Sequence, residues 1–259
     1  MSVLDAIIEG VRLDEQSRRL SESELSERIA SAPMPKSALK GLGSSQLSLI
    51  AEIKRSSPSK GNLSEIPAPN LLARIYEESG ADVISVLTEE RRFNGSLKDF
   101  ELVRNEVSLP MLRKDFMVSE YLIRESRAFG ADVVLLIVAA LSESELRDFH
   151  ALAIELGMDV LVEIHDEREL ERALAISPKI IGVNSRNLKT LDVDTSTFDR
   201  LLPQIPDSII KVAESGMNSP AEIKSARNAG ADAVLVGEAL VRSADPGNTI
   251  KSFLASANS

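Results

Sequence analysis

Gly130-Ala131-Asp132-Val133-Val134-Leu135-Leu136-Ile137-Val138 reads as the end of one element followed by the whole of another. Glycine readily takes the left-handed conformation that ends a helix. The run 133–138 is apolar without alternation, as a parallel strand covered on both faces should be. The same Gly-x-Asp step recurs as Gly80-Ala81-Asp82-Val83, Gly157-Met158-Asp159-Val160 and Gly230-Ala231-Asp232-Ala233. Each copy leads into a short apolar run, at 83–87, 160–164 and 233–236. Four more strands are predicted at 49–53, 110–112, 180–183 and 209–213, which makes eight.

Helical patterns fill the gaps at 70–79, 97–107, 119–129, 143–156, 167–175, 195–202, 219–228 and 248–255. Ser142 before Glu145 and Ser219 before Glu222 mark helix starts, because a capping serine and a glutamate three residues on satisfy each other's free N–H groups. Eight strand–helix units can close into a (β/α)8 TIM barrel of the α/β class. The structural rival is an open doubly wound sheet. It would carry a G-x-G-x-x-G turn after its first strand, and none is present. The barrel is the expected fold, as a single domain over 1–259. Residues 1–47 are expected to form an N-terminal helical extension. Within it 2–30 reads as helix, with Leu4, Ile7, Ile8 and Val11 in one stripe and Leu25 and Ile29 in a second helical stretch. Ala32-Pro33-Met34-Pro35 then stops it.

Composition narrows the function. A chain of 259 residues with 43% hydrophobic content can bury a barrel-sized core. No run approaches twenty uncharged apolar residues, so no membrane span is expected. The first twelve residues carry Asp5 and Glu9 and lack the order of a secretory signal, and a cytoplasmic protein is expected. Cysteine is absent, which excludes disulfides and thiolate chemistry. The two histidines, His150 and His165, are too few for a histidine-rich metal centre. A formal charge of −10 repels a nucleic-acid backbone, so an anionic ligand must be drawn by a local cluster of cations.

In barrels of this kind chemistry sits at the C-terminal ends of the strands. The first predicted strand runs out in Glu52-Ile53-Lys54-Arg55-Ser56-Ser57-Pro58-Ser59-Lys60-Gly61. Alternation puts Glu52 and Lys54 on one face, and opposite charges there are costly to desolvate unless paired or used. A solvated edge strand is the plain alternative. Later ends carry Thr88-Glu89, Arg113-Lys114-Asp115-Phe116, Glu163-Ile164-His165, Asn184-Ser185-Arg186, Glu214-Ser215-Gly216 and Gly237-Glu238. Convergence would place two lysines, an arginine and three carboxylates in one cavity, which shifts pKa values and favours proton transfer. A buried structural ion network is the competing explanation. Backbone N–H groups at Ser215-Gly216 and Gly237-Glu238 could cradle a phosphate. Phe93 and Phe116 follow adjacent strands and could wall a flat ring or simply pack their loops. His165 reads as a structural neighbour of Glu163, His150 as surface, and Lys60 and Arg91-Arg92 as loop charges.

These motifs together resemble the indole-3-glycerol phosphate synthase family. The likeness is carried by residues 52–61, by Val86-Leu87-Thr88-Glu89 with Phe93-Asn94-Gly95, and by Leu112-Arg113-Lys114-Asp115-Phe116. It continues in Leu161-Val162-Glu163-Ile164-His165, in Asn184 with Arg186-Asn187-Leu188, and in Glu214-Ser215-Gly216. It runs from the N-terminal helices to about Arg242. Ser185 departs from the second asparagine that many members carry. The resemblance implies a phosphorylated small-molecule substrate, 1-(2-carboxyphenylamino)-1-deoxyribulose 5-phosphate, a decarboxylating and dehydrating ring closure, a place in tryptophan biosynthesis, and no cofactor; no metal is expected, since a carboxylate-held Mg²⁺ has no loop motif behind it. It implies Lys114 as general acid, Glu163 as general base, and Lys54 holding the substrate carboxylate. Glu52, Asn184 and Glu214 would orient or assist. Arg186, Ser215, Gly216, Gly237 and Glu238 would contact phosphate and sugar, and Ser57, Pro58, Phe93 and Phe116 would line the ring pocket. A monomer is expected, with an oligomer left open. Two other readings are a phosphoribosyl isomerase of the same pathway and a barrel that binds sugar phosphates without turning them over.

Overall fold

The computed structural model describes residues 2–188 and 190–258. Each Gly-x-Asp step does two jobs. Its glycine ends a helix in the left-handed region, with φ of +104° at Gly80 and +106° at Gly230. Its aspartate then pins a neighbouring chain. Asp82 accepts the N–H of Leu49 at 2.8 Å, Asp132 that of Met111 at 2.7 Å and Asp232 that of Lys211 at 2.9 Å. In each case the N–H belongs to the strand beside the one that the aspartate precedes. Asp159 instead accepts from Ala38 at 2.8 Å and Ser37 at 2.9 Å, tying down the N-terminal segment.

Among the described residues eight parallel strands form the barrel. They are β1 (Ser48–Ile53), β2 (Val83–Leu87), β3 (Met111–Lys114), β4 (Val133–Ile137), β5 (Asp159–Ile164), β6 (Ile180–Asn184), β7 (Ile210–Glu214) and β8 (Ala233–Val236). Each pairs with its sequence neighbour, and β1 pairs with β8 to close the ring. Every residue of β1 is buried, which removes the edge-strand alternative. Strands β3 and β7 run further than predicted, so Lys114 and Glu214 lie inside the ladder, opposite Leu87 and Asn184. The run 133–138 loses its last residue to a 3-10 turn over Val138–Ala140.

Helices α1 (Val3–Arg18), α2 (Glu22–Ser31) and the short α3 (Leu39–Leu42) precede the barrel. The predicted helix over 2–30 is broken at Arg19-Leu20-Ser21. Ser21 accepts the N–H of Glu24, whose carboxylate takes the Ser21 N–H, so the chain restarts a helix there. Outside the strands lie α4 (Pro69–Glu78), α5 (Leu97–Arg104), α6 (Glu120–Ala128), α7 (Glu143–Glu155), α8 (Glu167–Leu174), α9 (Ser196–Leu201), α10 (Pro220–Asn228), α11 (Glu238–Val241) and α12 (Pro246–Ala257). Ser142 and Ser219 cap α7 and α10 as read from the sequence.

One loop charge and one surface histidine are placed differently. Arg91 donates to both oxygens of Asp14 at 2.8 and 2.7 Å, so it docks α1 onto the barrel mouth. His150 is half-buried on α7, where burial lowers its pKa, because its neighbours on that helix pack inward.

Candidate active site

The C-terminal ends of the strands open into one cavity of about 610 Å³, a volume suited to a small ligand. Glu52, Lys54, Lys114, Glu163, Asn184 and Glu214 all line it. So do Ser57, Pro58, Phe93, Phe116 and Arg186, together with Ser215, Gly216, Gly237 and Glu238. Each arrives on an inward position of its strand or in the loop just past it. Alternation therefore selects them: residues two apart on a strand share a face.

Lys114 sits at the centre. Its Nζ is 2.9 Å from Glu163 Oε2 and 3.3 Å from Glu214 Oε2. Burial works against its charge, and Glu163, Glu214 and Glu52 more than offset that, so its pKa lies above the ordinary lysine range. Glu163 is 1% exposed. Burial opposes its charge as well, but Lys114 and His165 hold it below the usual carboxylate range. Glu214 goes the other way. Burial, joined by the Glu163 charge, pushes it up to about 8 against the pull of Lys114. Glu214 Oε1 is buried with no donor to bond it. At neutral pH the cup thus holds an ammonium, a carboxylate and a carboxylic acid in mutual contact.

That assignment has a sign in stability. The folded-state value of Glu214 lies above its ordinary 4.5, so its neutral form is the favoured one. Its contribution is whole below pH 4.5 and is lost as pH rises through about 8. Glu214→Gln keeps the shape and cannot ionise. The melting temperature of E214Q relative to wild type should therefore climb between pH 5 and pH 9. A difference that stays flat across that range would remove the protonated-Glu214 assignment.

Two glycines make room for these carboxyl groups. A Cβ at Gly182, on the strand between β5 and β7, would stand 2.0 Å from Glu214 Oε1. One at Gly237 would stand 2.5 Å from Glu52 Oε1. Glu52 in turn meets Lys54 Nζ at 2.7 Å, the i, i+2 pair expected of β1.

The rim is built from loops. Arg186 donates from Nη1 to Ser59 Oγ at 3.1 Å and to the Leu191 carbonyl at 2.9 Å, joining the first and sixth loops. Its backbone N–H donates to Asn184 Oδ1 at 3.0 Å. Lys60, read as a loop charge, stands at the rim with Nζ 3.5 Å from Glu238 Oε1. Phe93 and Phe116 face each other across 6.2 Å at 42° on one wall. Ser215 and Gly216 have φ of +69° and +77°. For serine that conformation is strained, and strain of this kind clusters where ligands bind.

The strand-end reading missed part of the site. Val3, Leu4 and Ile7 of α1 complete the apolar wall, and Leu188 and Leu191 face them from the sixth loop. The α1 stripe was visible as helical periodicity, which says that a face is buried and not what covers it. Conversely, Arg113, adjacent to Lys114, does not line the cavity, while Asp115 lines it and accepts from Thr88 and Arg113. Arg113 is 0% exposed and bonds Thr88, Ser126, Asp115 and Glu125. Glu89 serves its own loop, accepting the N–H groups of Arg91, Arg92 and Phe93.

The family model for indole-3-glycerol phosphate synthase matches residues 4–253. The chain belongs to the indole-3-glycerol phosphate synthase family. The indole-3-glycerol phosphate synthase of Streptomyces griseus is 54% identical over 257 residues, covering 98% of this chain and 96% of that one. The one from Micrococcus luteus is 53% identical over 262 residues, covering 98% of each. Members are named as synthases, so this is an enzyme family. The family match begins in α1, so the N-terminal helices belong to the shared pattern along with the barrel. A more distant likeness shows the fold alone. The N-acetylmannosamine-6-phosphate 2-epimerase of Clostridium perfringens aligns with a TM-score of 0.62 at 15% identity, over 82% of this chain and 94% of that one.

Proposed function

We propose that this chain is a carboxy-lyase that converts 1-(2-carboxyphenylamino)-1-deoxyribulose 5-phosphate to indole-3-glycerol phosphate, carbon dioxide and water, without a cofactor, in tryptophan biosynthesis. The observation that carries the reading is Lys114 Nζ held 2.9 Å from Glu163 and 3.3 Å from Glu214 inside the family's cavity. The ring carbon bearing the carboxylate attacks the ketone carbon, and Lys114 protonates the ketone oxygen as it becomes a hydroxyl. Carbon dioxide then leaves, and its bonding electrons restore the aromatic ring. Lys54, sharing the acid role, protonates that hydroxyl so that it leaves as water, while Glu163 takes a proton from the adjacent methylene carbon that bears the nitrogen, and the new double bond completes the indole.

The electrostatics set the resting charges of these groups. Lys114 is fully charged and has a proton to give, while Glu163 is ionised and can accept one. Glu214, protonated near neutral pH, can pass a proton between them. Lys54 holds the substrate carboxylate and can share the acid role, and Glu52, 2.7 Å from its Nζ, aims it. Asn184 orients sugar hydroxyls. Arg186, the Ser215-Gly216 N–H groups and the Gly237-Glu238 backbone hold the phosphate and sugar. Ser57, Pro58, Phe93 and Phe116 enclose the aromatic ring. No described helix is long and apolar enough to cross a membrane. We place the enzyme in the cytoplasm, as one barrel domain that works as a monomer, with residues 1–47 as its helical extension.

The test is the growth of indole fluorescence from the deoxyribulose phosphate substrate, with carbon dioxide measured alongside. The reading expects both in equal amounts. Affinity without signal would make the chain a binder, and isomerised substrate without carbon dioxide would make it an isomerase.

A further inference from the structure

His165 directly follows β5 and stands behind Glu163, outside the residues that line the cavity. Its backbone N–H and its Nδ1 both meet Glu169 Oε2, at 2.8 and 2.9 Å. Its Nε2 lies 3.4 Å from Glu163 Oε1, an ion-pair contact rather than a hydrogen bond, and is buried with no hydrogen-bond partner among the described residues. The other oxygen of Glu163 accepts from Lys114. Glu169 is itself fixed in the first turn of α8, where Asp166 caps its N–H at 2.9 Å. The ring therefore has a carboxylate beside each nitrogen, hydrogen-bonded at Nδ1 and at ion-pair distance at Nε2. A neutral imidazole carries one N–H and can serve only one of them, whereas an imidazolium serves both.

We propose that His165 is a positioning residue, a buried imidazolium clamped between Glu169 and Glu163 that fixes the plane of the Glu163 carboxylate and keeps it ionised for proton abstraction. The inference rests on the reading of Glu163 as the base. The charged groups facing the ring are Glu163 of β5 and Glu169 of α8. Lys114 of β3 and Glu214 of β7 act on it through Glu163. Burial disfavours the charged ring, but the two carboxylates outweigh it and raise the His165 pKa to about 10. The arrangement also divides labour across Glu163: one oxygen faces the catalytic side and the other faces a partner that substrate does not touch.

Two measurements test this. His150 is the only other histidine, so nitrogen NMR of the intact protein has two rings to separate. At pH 8 His165 should carry protons on both nitrogens, while His150 should be neutral. In kinetics, His165→Leu should move the acid limb of the kcat profile upward by about one pH unit and lower kcat near its foot by about tenfold. KM should stay within about twofold, because His165 does not touch substrate. His165→Gln keeps one donor and no charge, and should fall between Leu and wild type. Should the leucine variant fail to fold, glutamine carries the kinetic arm. A neutral His165 ring at pH 8 would overturn the proposal. So would a folded variant with an unmoved pH profile, whatever its kcat. A wild-type chain that forms no indole product would defeat the reading of Glu163 as base and leave the NMR result standing, so the two failures are distinguishable.

Discussion

Lys114→Ala should lower turnover of the deoxyribulose phosphate substrate by at least roughly 10²–10⁴-fold, the usual worth of a positioned proton donor. The expected loss lies at the upper end, because the variant removes more than a donor. Lys114 is the cation between Glu163 and Glu214, and without it two adjacent carboxyl groups face each other in a nearly dry cup. Glu214 already carries a proton near neutral pH, so what the variant removes besides the donor is the cation that holds Glu163 in place. Single-turnover rates read the effect directly, with melting temperature measured beside them. Loss of kcat with little change in fold is the expected result. Near-normal turnover in a folded K114A protein would refute the general-acid assignment, whichever lysine were then proposed in its place.

The largest expected effect on stability lies one residue away. Arg113 points out of the cup and is 0% exposed, bonding Thr88 Oγ1 at 3.0 Å, Ser126 Oγ at 3.1 Å, Asp115 at 3.3 Å and Glu125 at 2.9 Å. Arg18 of α1 reaches the same Glu125 at 3.1 and 3.2 Å. Arg113→Ala strands buried acceptors and leaves Arg18 to neutralise Glu125 alone. Breaking one side of a buried ion network costs about 3–5 kcal/mol. For a chain of this size that means a fall in melting temperature of roughly 10 °C. The deficit should also depend on pH. Burial opposes the Glu125 charge, but Arg113 and Arg18 hold its pKa below the ordinary 4.5. The stability this confers is present above pH 4.5 and fades as acid protonates the folded state, so wild type and variant should converge there. A melting temperature within a degree or two of wild type near neutrality would show that the network contributes no net stability.

Much of the candidate catalytic set was legible because a polar side chain stands out at the end of an apolar strand. Glu52, Lys54, Lys114, Glu163, Asn184 and Glu214 could each be found that way, and all six meet in the cavity. The boundary errors were small and had local causes. Ser21 restarts a helix that periodicity alone ran through, and β3 and β7 extend to keep Lys114 and Glu214 in register with their neighbours. Other features left no comparable mark. Arg113 and Lys114 are adjacent and equally basic, and nothing in the triplet Arg113-Lys114-Asp115 says which side chain faces inward. Gly182 looks like any strand glycine until Glu214 is seen folded over it.

The sequence by itself determined the barrel and the polar residues at its mouth, because strand alternation, helix caps and the repeated Gly-x-Asp step are local properties that neighbours along the chain enforce. Tertiary structure decided what those residues became: an ammonium between a carboxylate and a carboxylic acid, closed over by α1 and backed by His165. Protonation and orientation depend on charges that lie far apart in the chain, such as those of Lys114, Glu163 and Glu214, and only closure of the ring brings them within reach of one another.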